Sequence, residues 1–317
     1  MTSDRAVAEA TATSPVLAAP PTVEPAVVVG VDDSASSDSA VTWAAAEAVA
    51  RQLPLRIVHA WTIPVLTPWA APINVELASS AEVHGRALLQ RYVVQAERTP
   101  GVVASAYQVD GSAGQVLGEC AKHAALVVLG SHHLSEVGRM IAGSVSSAVT
   151  ASAVCPTVVV PGSKNSGGRD PAPAGLPVVV GVTPYADQDA RLVDFGLDHA
   201  RRHRAPIRIV TCWHPALGNQ TLPPPRELHL WLSEFVSGCR DRFPEVDRVE
   251  LVVRRSQPRD VLLEAADQAA LLVLGRRHRH THLGQLLGST GHAAVVNAAC
   301  PVAIIPPQWP APAGLSR

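Results

Sequence analysis

The chain carries one pattern twice. Residues 126–160 read LVVLGSHHLSEVGRMIAGSVSSAVTASAVCPTVVV, and residues 271–305 read LLVLGRRHRHTHLGQLLGSTGHAAVVNAACPVAII. Gly130 matches Gly275, Gly143 matches Gly288, Cys155 matches Cys300 and Pro156 matches Pro301, each pair 145 positions apart. A repeat of this length is a whole domain and not a solenoid unit. The front halves agree as well. PAVVVGVDDSASSDSAVTWAAAEAVA (25–50) aligns with PVVVGVTPYADQDARLVDFGLDHA (177–200), and LRIVHAW (55–61) with IRIVTCW (207–213). Two tandem domains are therefore expected over 25–161 and 177–306.

The remaining segments lack periodicity. Residues 1–24 are rich in Ala, Thr and Pro, with no basic stretch leading into an apolar core, and read as a disordered tail rather than a signal peptide. Residues 162–176 are rich in Gly, Pro and Ser and read as a linker, and 307–317 as a second tail. Charged residues are 17% of the chain, below the usual share of about 25%, which suits large buried cores. A net charge of −1 gives no basic field for nucleic acid or an anionic membrane. No apolar run reaches the ~20 residues a bilayer span requires. Cys120, Cys155, Cys212, Cys239 and Cys300 are scattered and odd in number, which points to a reducing cytoplasm and not to disulfides.

Val27–Val31 is a continuous apolar run, as in a parallel strand covered on both faces. Asp33, Ser34 and Ser36 offer N-caps to a helix ending near Arg51. Strands follow at 55–60, 102–108, 126–130 and 157–160, and helices at 80–98, 112–123 and 143–151. This alternation implies an α/β fold: in each copy a parallel sheet with right-handed crossovers, helices on both faces, and ligands at the carboxyl ends of the strands. The strand order 3-2-1-4-5 is expected, leaving the last apolar strand of each copy at an edge that the other copy's last strand can cover.

The distinctive residues fall at those strand ends. Asp32 follows the first strand, Ala60 ends the second and Gly130 the fourth, while Gly143-Ser144 opens the last helix. Glycines let backbone N–H groups approach an anion, and a helix N-terminus favours negative charge. Ser144, Ser146 and Ser147 can add hydroxyl donors, whereas the Lys of a P-loop is absent.

On these motifs the chain resembles tandem-domain universal stress proteins. Their ATP-binding members carry an Asp after the first strand and a G-x2-G-x9-G-(S/T) loop. Here the loop reads Gly130, His133, Gly143-Ser144 in copy one, and Gly275, His278, Gly288-Ser289 in copy two. Cys155-Pro156-Thr157 and Cys300-Pro301-Val302 match the family's last strand. The resemblance implies a five-stranded, Rossmann-like parallel sheet per domain, of the adenine nucleotide alpha hydrolase-like type. It implies Asp32 beside a nucleoside, the Ala60 backbone on the adenine edge, and Gly130, Gly143, Ser144, Val145 and Ser146 around ribose and phosphates. Gly275, Gly288 and Ser289 are the weaker counterparts. ATP is the implied ligand, with Mg2+ entering only through its phosphates. His133 and His278 replace the loop's second glycine, and His133 either donates to phosphate or blocks the pocket. Thr183-Pro184 replaces Asp32-Asp33, and Gly291 replaces Ser146, which makes copy one the better candidate.

Plainer readings compete at several positions. Asp32 can simply cap the following helix. Arg276–His282 and His132-His133 read as solvated loops, because a metal site needs ligands fixed by surrounding groups. His199 and His203 share a helix face but show no third ligand, and read as surface residues. Trp61 and Trp213 read as packing groups. Three function classes follow: a cytoplasmic regulator binding ATP or AMP and read by an unidentified protein partner, an adaptor binding no nucleotide, and an ATP-using enzyme. The last is disfavoured, since only His133 stands near the loop as a base and no Ser-His-Asp or metal-ligand signature is visible. Weak ATPase activity stays open, as does a homodimer beside the intramolecular pairing of the two domains.

Overall fold

A computed structural model of the chain describes residues 16–17, 24–62, 71–131, 144–162, 175–213, 225–276, 279–281 and 284–309. Domain 1 contains β2 (Val27–Gly30), α1 (Ala35–Arg51), β3 (Leu55–Trp61), α2 (Ala71–Ala96), β4 (Ala104–Asp110), α3 (Ala113–Cys120), β5 (Leu126–Ser131), α4 (Ser144–Ser152) and β6 (Thr157–Pro161). Domain 2 repeats the plan with β7 (Val178–Val182), α5 (Ala190–His203), β8 (Ile207–Trp213), α6 (Pro225–Arg240), β9 (Val249–Arg255), α7 (Pro258–Ala266), β10 (Leu271–Gly275), α8 (Ser289–Asn297) and β13 (Val302–Ile305). All residues of β2 are buried, as its unbroken apolar run requires of a strand with helices on both faces.

The strands run β4-β3-β2-β5-β6 in domain 1 and β9-β8-β7-β10-β13 in domain 2, which is 3-2-1-4-5 in each. Their last strands join. β6 and β13 pair antiparallel through Thr157↔Ile304, Val158↔Ala303 and Val159↔Val302, making one 11-stranded sheet. Val158 and Ala303 are themselves equivalent in the repeat, so a pseudo-twofold axis passes between them. Each apolar edge is covered by the equivalent strand of the other domain.

Alternation along the strands divides the core. Val27, Val29, Val178, Val180, Ala303 and Ile305 face one layer, continuous across both domains beneath α1, α2, α5 and α6. Val28, Val127 and Leu129 face α3 and α4, whereas Val179, Leu272 and Leu274 face α7 and α8. Among the described residues no helix is long and apolar enough to cross a membrane.

Four segments depart from the sequence reading. The first tail contributes β1 (Val16–Leu17), which pairs parallel with β4, because an edge strand offers free backbone groups. α2 begins at Ala71, well before residue 80, with Pro72 tolerated in its first turn. After β10, β11 (Arg279–Thr281) pairs antiparallel with β12 (Gly284–Leu286), so part of the stretch that reads as a loop is strand. In the last tail, Trp309 packs edge-on against Phe195 at 5.8 Å.

Candidate functional site

The register sets the candidate residues side by side. Gly30 pairs with Val58 on one flank and with Leu129 on the other. Asp32 and Ala60 each lie two residues beyond that level, and Gly130 one beyond, so three adjacent strands end together. This is the edge where open parallel sheets hold ligands. The Ser146 hydroxyl donates to the Gly130 carbonyl at 3.0 Å, fastening the first turn of α4 to the end of β5. The unpaired amides of that turn form the anion-attracting end of a helix. Gly130 has its own packing reason. A Cβ there would lie 2.6 Å from Ser36 Oγ and 2.8 Å from the Ser36 carbonyl carbon, so α1 starts where only a glycine fits.

Asp32 braces the turn between β2 and α1. Its Oδ1 accepts from the Ser34 amide at 3.1 Å, the Ser37 hydroxyl at 2.8 Å and the Ser34 hydroxyl, while its own amide donates to Ser37 Oγ at 3.0 Å. Ser34 is the N-cap of α1, so Asp32 supports the cap through two serines. From α2, the Tyr92 hydroxyl donates to the Asp32 carbonyl at 3.0 Å. The exposed Asp33 lies 3.4 Å from Arg91 and 3.7 Å from His84. Val145 packs, partly buried, against the core under α3 and α4. His133 and Gly143 lie outside the described residues, as do His132 and His278; of Ser144 the structure gives only its place at the start of α4.

Two groups that sequence reading placed in solvent lie between the domains. Arg276, only 6% exposed, donates from Nη1 to the carbonyls of Ala153 at 2.7 Å and Thr150 at 3.4 Å, at the C-terminal end of α4. His199 is also buried. Its Nδ1 lies 3.2 Å from Glu47 Oε2, and His203 Nε2 lies 2.8 Å from the same oxygen. Arg51 donates from Nε to Glu47 Oε1 at 2.6 Å. Burial pushes the Glu47 pKa up, but His199, Arg51 and the imidazole hydrogen bonds outweigh it and hold the carboxyl well below its usual value. Burial also holds His199 below its usual value, against the pull of Glu47.

The family model described as the universal stress protein family matches residues 25–161 and 177–306. The chain belongs to the universal stress protein family. It is 30% identical over 292 residues to a universal stress protein of Mycolicibacterium smegmatis, covering 89% of this chain and 97% of that one. A Mycobacterium tuberculosis universal stress protein is 31% identical over 291 residues, covering 88% and 96%. A crystal structure of a universal stress protein from Archaeoglobus fulgidus superposes with a TM-score of 0.62 at 14% identity, over 89% of this chain and 96% of that one.

The two universal stress protein domains differ at their strand ends. In domain 2 the Thr183 amide bonds Asp189 Oδ2 at 2.8 Å, the place that Ser37 takes for Asp32. Tyr185, at φ 57°, packs on Trp231 with ring centroids 5.2 Å apart, and Trp231 stacks on Phe235 at 5.1 Å. A Cβ on Gly275 would meet Leu192 at 3.2 Å, a looser contact than at Gly130. Gly288 caps α8, and Ser289 is its first residue. Trp213 lies beneath the Arg255 guanidinium at 4.8 Å.

The signal for the buried cluster was present in the repeat. An offset of 152, which aligns Leu55–Trp61 with Ile207–Trp213, also sets Glu47 against His199 and Arg51 against His203. Equivalent positions on facing helices meet at the pseudo-twofold. A charged Glu47 between the apolar Ala44 and Ala48 marked the same face.

Proposed function

We propose that the chain is a regulatory universal stress protein whose domain 1 binds an adenine nucleotide, ATP or AMP, at the ends of β2, β3 and β5. The observation that carries this reading is the docking of the α4 N-terminus beside Gly130, on the edge that Asp32 and Ala60 share. Backbone amides of α4 fit phosphate oxygens, and the Ala60 backbone fits an adenine edge. Mg2+ would enter only with those phosphates. Occupancy would then alter a surface recognised by a protein partner.

A second reading has its own observation. Asp32 Oδ1 and the Ser146 hydroxyl already bond within the protein, as an adaptor without nucleotide would have them. Equilibrium binding of labelled ATP and AMP separates the two readings. Binding that Asp32→Ala weakens supports the regulator, and absence of binding supports the adaptor. His133→Gly supplies the control for the loop: it strengthens binding if the imidazole obstructs, and weakens it if the imidazole donates to phosphate.

A further inference from the structure

The two domains meet at helices as well as at strands. α1 lies beside α5 across the pseudo-twofold. There one carboxylate from domain 1 and two imidazoles from domain 2 converge, with their ligand atoms all within 4.8 Å of one another. We propose that Glu47, His199 and His203 form a binding site for a divalent transition cation of the zinc type, clasping the two domains together.

The donor chemistry suits that ion. One carboxylate oxygen and two imidazole nitrogens leave a fourth position for water, the set that zinc accepts in open sites. Glu47 Oε2 lies 2.8 Å from His203 Nε2 and 3.2 Å from His199 Nδ1. Donors about 2.0–2.1 Å from a tetrahedral ion stand roughly 3.3 Å apart, so the two carboxylate contacts need to open by only a few tenths of an ångström, and the two imidazole donors lie within 4.8 Å of each other. The ion replaces the hydrogen-bonding protons that join His203 Nε2 and His199 Nδ1 to the carboxylate. Each proton moves to the other nitrogen of its own neutral ring, so both imidazoles ligate through a lone pair and no net proton leaves.

The surroundings hold the donors in place. Arg51 Nε takes the other carboxylate oxygen, Oε1, which leaves Oε2 turned to the imidazoles. Trp43 stacks on the His199 ring, with centroids 6.1 Å apart and planes within 7°. Asp198, the neighbouring acid, is bonded by Arg201 and Arg202, each at 2.9 Å, and stays with those cations. Partners of this kind fix ligand orientation in metal sites. The His203 side chain is 32% exposed and provides the way in.

The test is calorimetry of Zn2+ against the metal-stripped full chain, with Co2+ as an optical probe. One high-affinity zinc per chain is expected, with visible absorption from four-coordinate cobalt. His203→Ala should lower zinc affinity by at least ~10–100-fold, the loss seen even for groups that merely orient ligands. His203→Cys, which keeps a zinc donor at that position, should retain binding. Zinc should raise the Tm of the unmodified chain and of His203→Cys, but not of His203→Ala. Equal zinc affinity in the unmodified chain and His203→Ala would overturn the proposal, since the ion would then sit elsewhere, for instance on the histidines of residues 276–282. So would a chain whose Tm and absorption ignore both metals.

Discussion

The Arg276 guanidinium of domain 2 donates to the Ala153 carbonyl of domain 1 at 2.7 Å, capping the C-terminal end of α4. Arg276 directly follows Gly275, so the end of β10 in domain 2 holds the helix whose other end borders the candidate site of domain 1. A cation there also matches the negative end of the helix dipole. Removing it leaves buried carbonyls without their charged partner. Arg276→Met should lower the unfolding free energy by about 1.5–3 kcal/mol. Arg86→Met, which removes an exposed pair with Glu82, should change it by no more than about 0.5 kcal/mol. Urea unfolding midpoints of the two variants give the comparison.

Two glycine substitutions should act in opposite directions. Gly130→Ala drives a methyl group into Ser36, including its backbone, and should cost about 1–3 kcal/mol. Gly118 lies within α3 with nothing inside 4 Å of its Cβ position. Gly118→Ala should therefore stabilise by about 0.5–1 kcal/mol. Thermal unfolding of the pair reads both signs at once.

The cysteines should be inert in the folded chain. Burial pushes the Cys155 thiol up to about 12, and Cys212 and Cys239 to about 11, so almost no thiolate is present near neutral pH. Cys120, raised by burial to a lesser degree and partly exposed, should react first. Iodoacetamide labelling at pH 8 followed by mass spectrometry should show slow modification led by Cys120, and rapid labelling of all five thiols only in denaturant.

Much of the architecture was legible because it rests on local pattern. The β-branched runs at 27–31 and 178–182 require strands with both faces covered. The repeat of Cys-Pro before an apolar strand marked the two edges that join as β6 and β13. The misread residues are those whose environment is set by the other domain. Arg276 and His199 look like surface residues beside their chain neighbours, and only the pseudo-twofold buries them, the latter against a carboxylate 152 positions away. β1 escaped notice for a similar reason, since two residues acquire strand geometry only against the open edge of β4. At the candidate site the strand-end positions were readable. The Asp32–Ser34–Ser37 bonding was not, because a carboxylate ahead of a helix serves a ligand or a cap with the same sequence.

The difference between the domains carries a prediction about stoichiometry. Domain 2 has Thr183 and Gly291 where domain 1 has Asp32 and Ser146, and its strand end is flanked by Tyr185 and Trp231. Calorimetric titration of ATP into the full chain tests the central claim most directly. One site per chain is expected, with affinity reduced at least ~10-fold by Asp32→Ala, equivalent to about 1.4 kcal/mol, and unchanged by Thr183→Ala. Two equal sites, or the absence of binding, would contradict it.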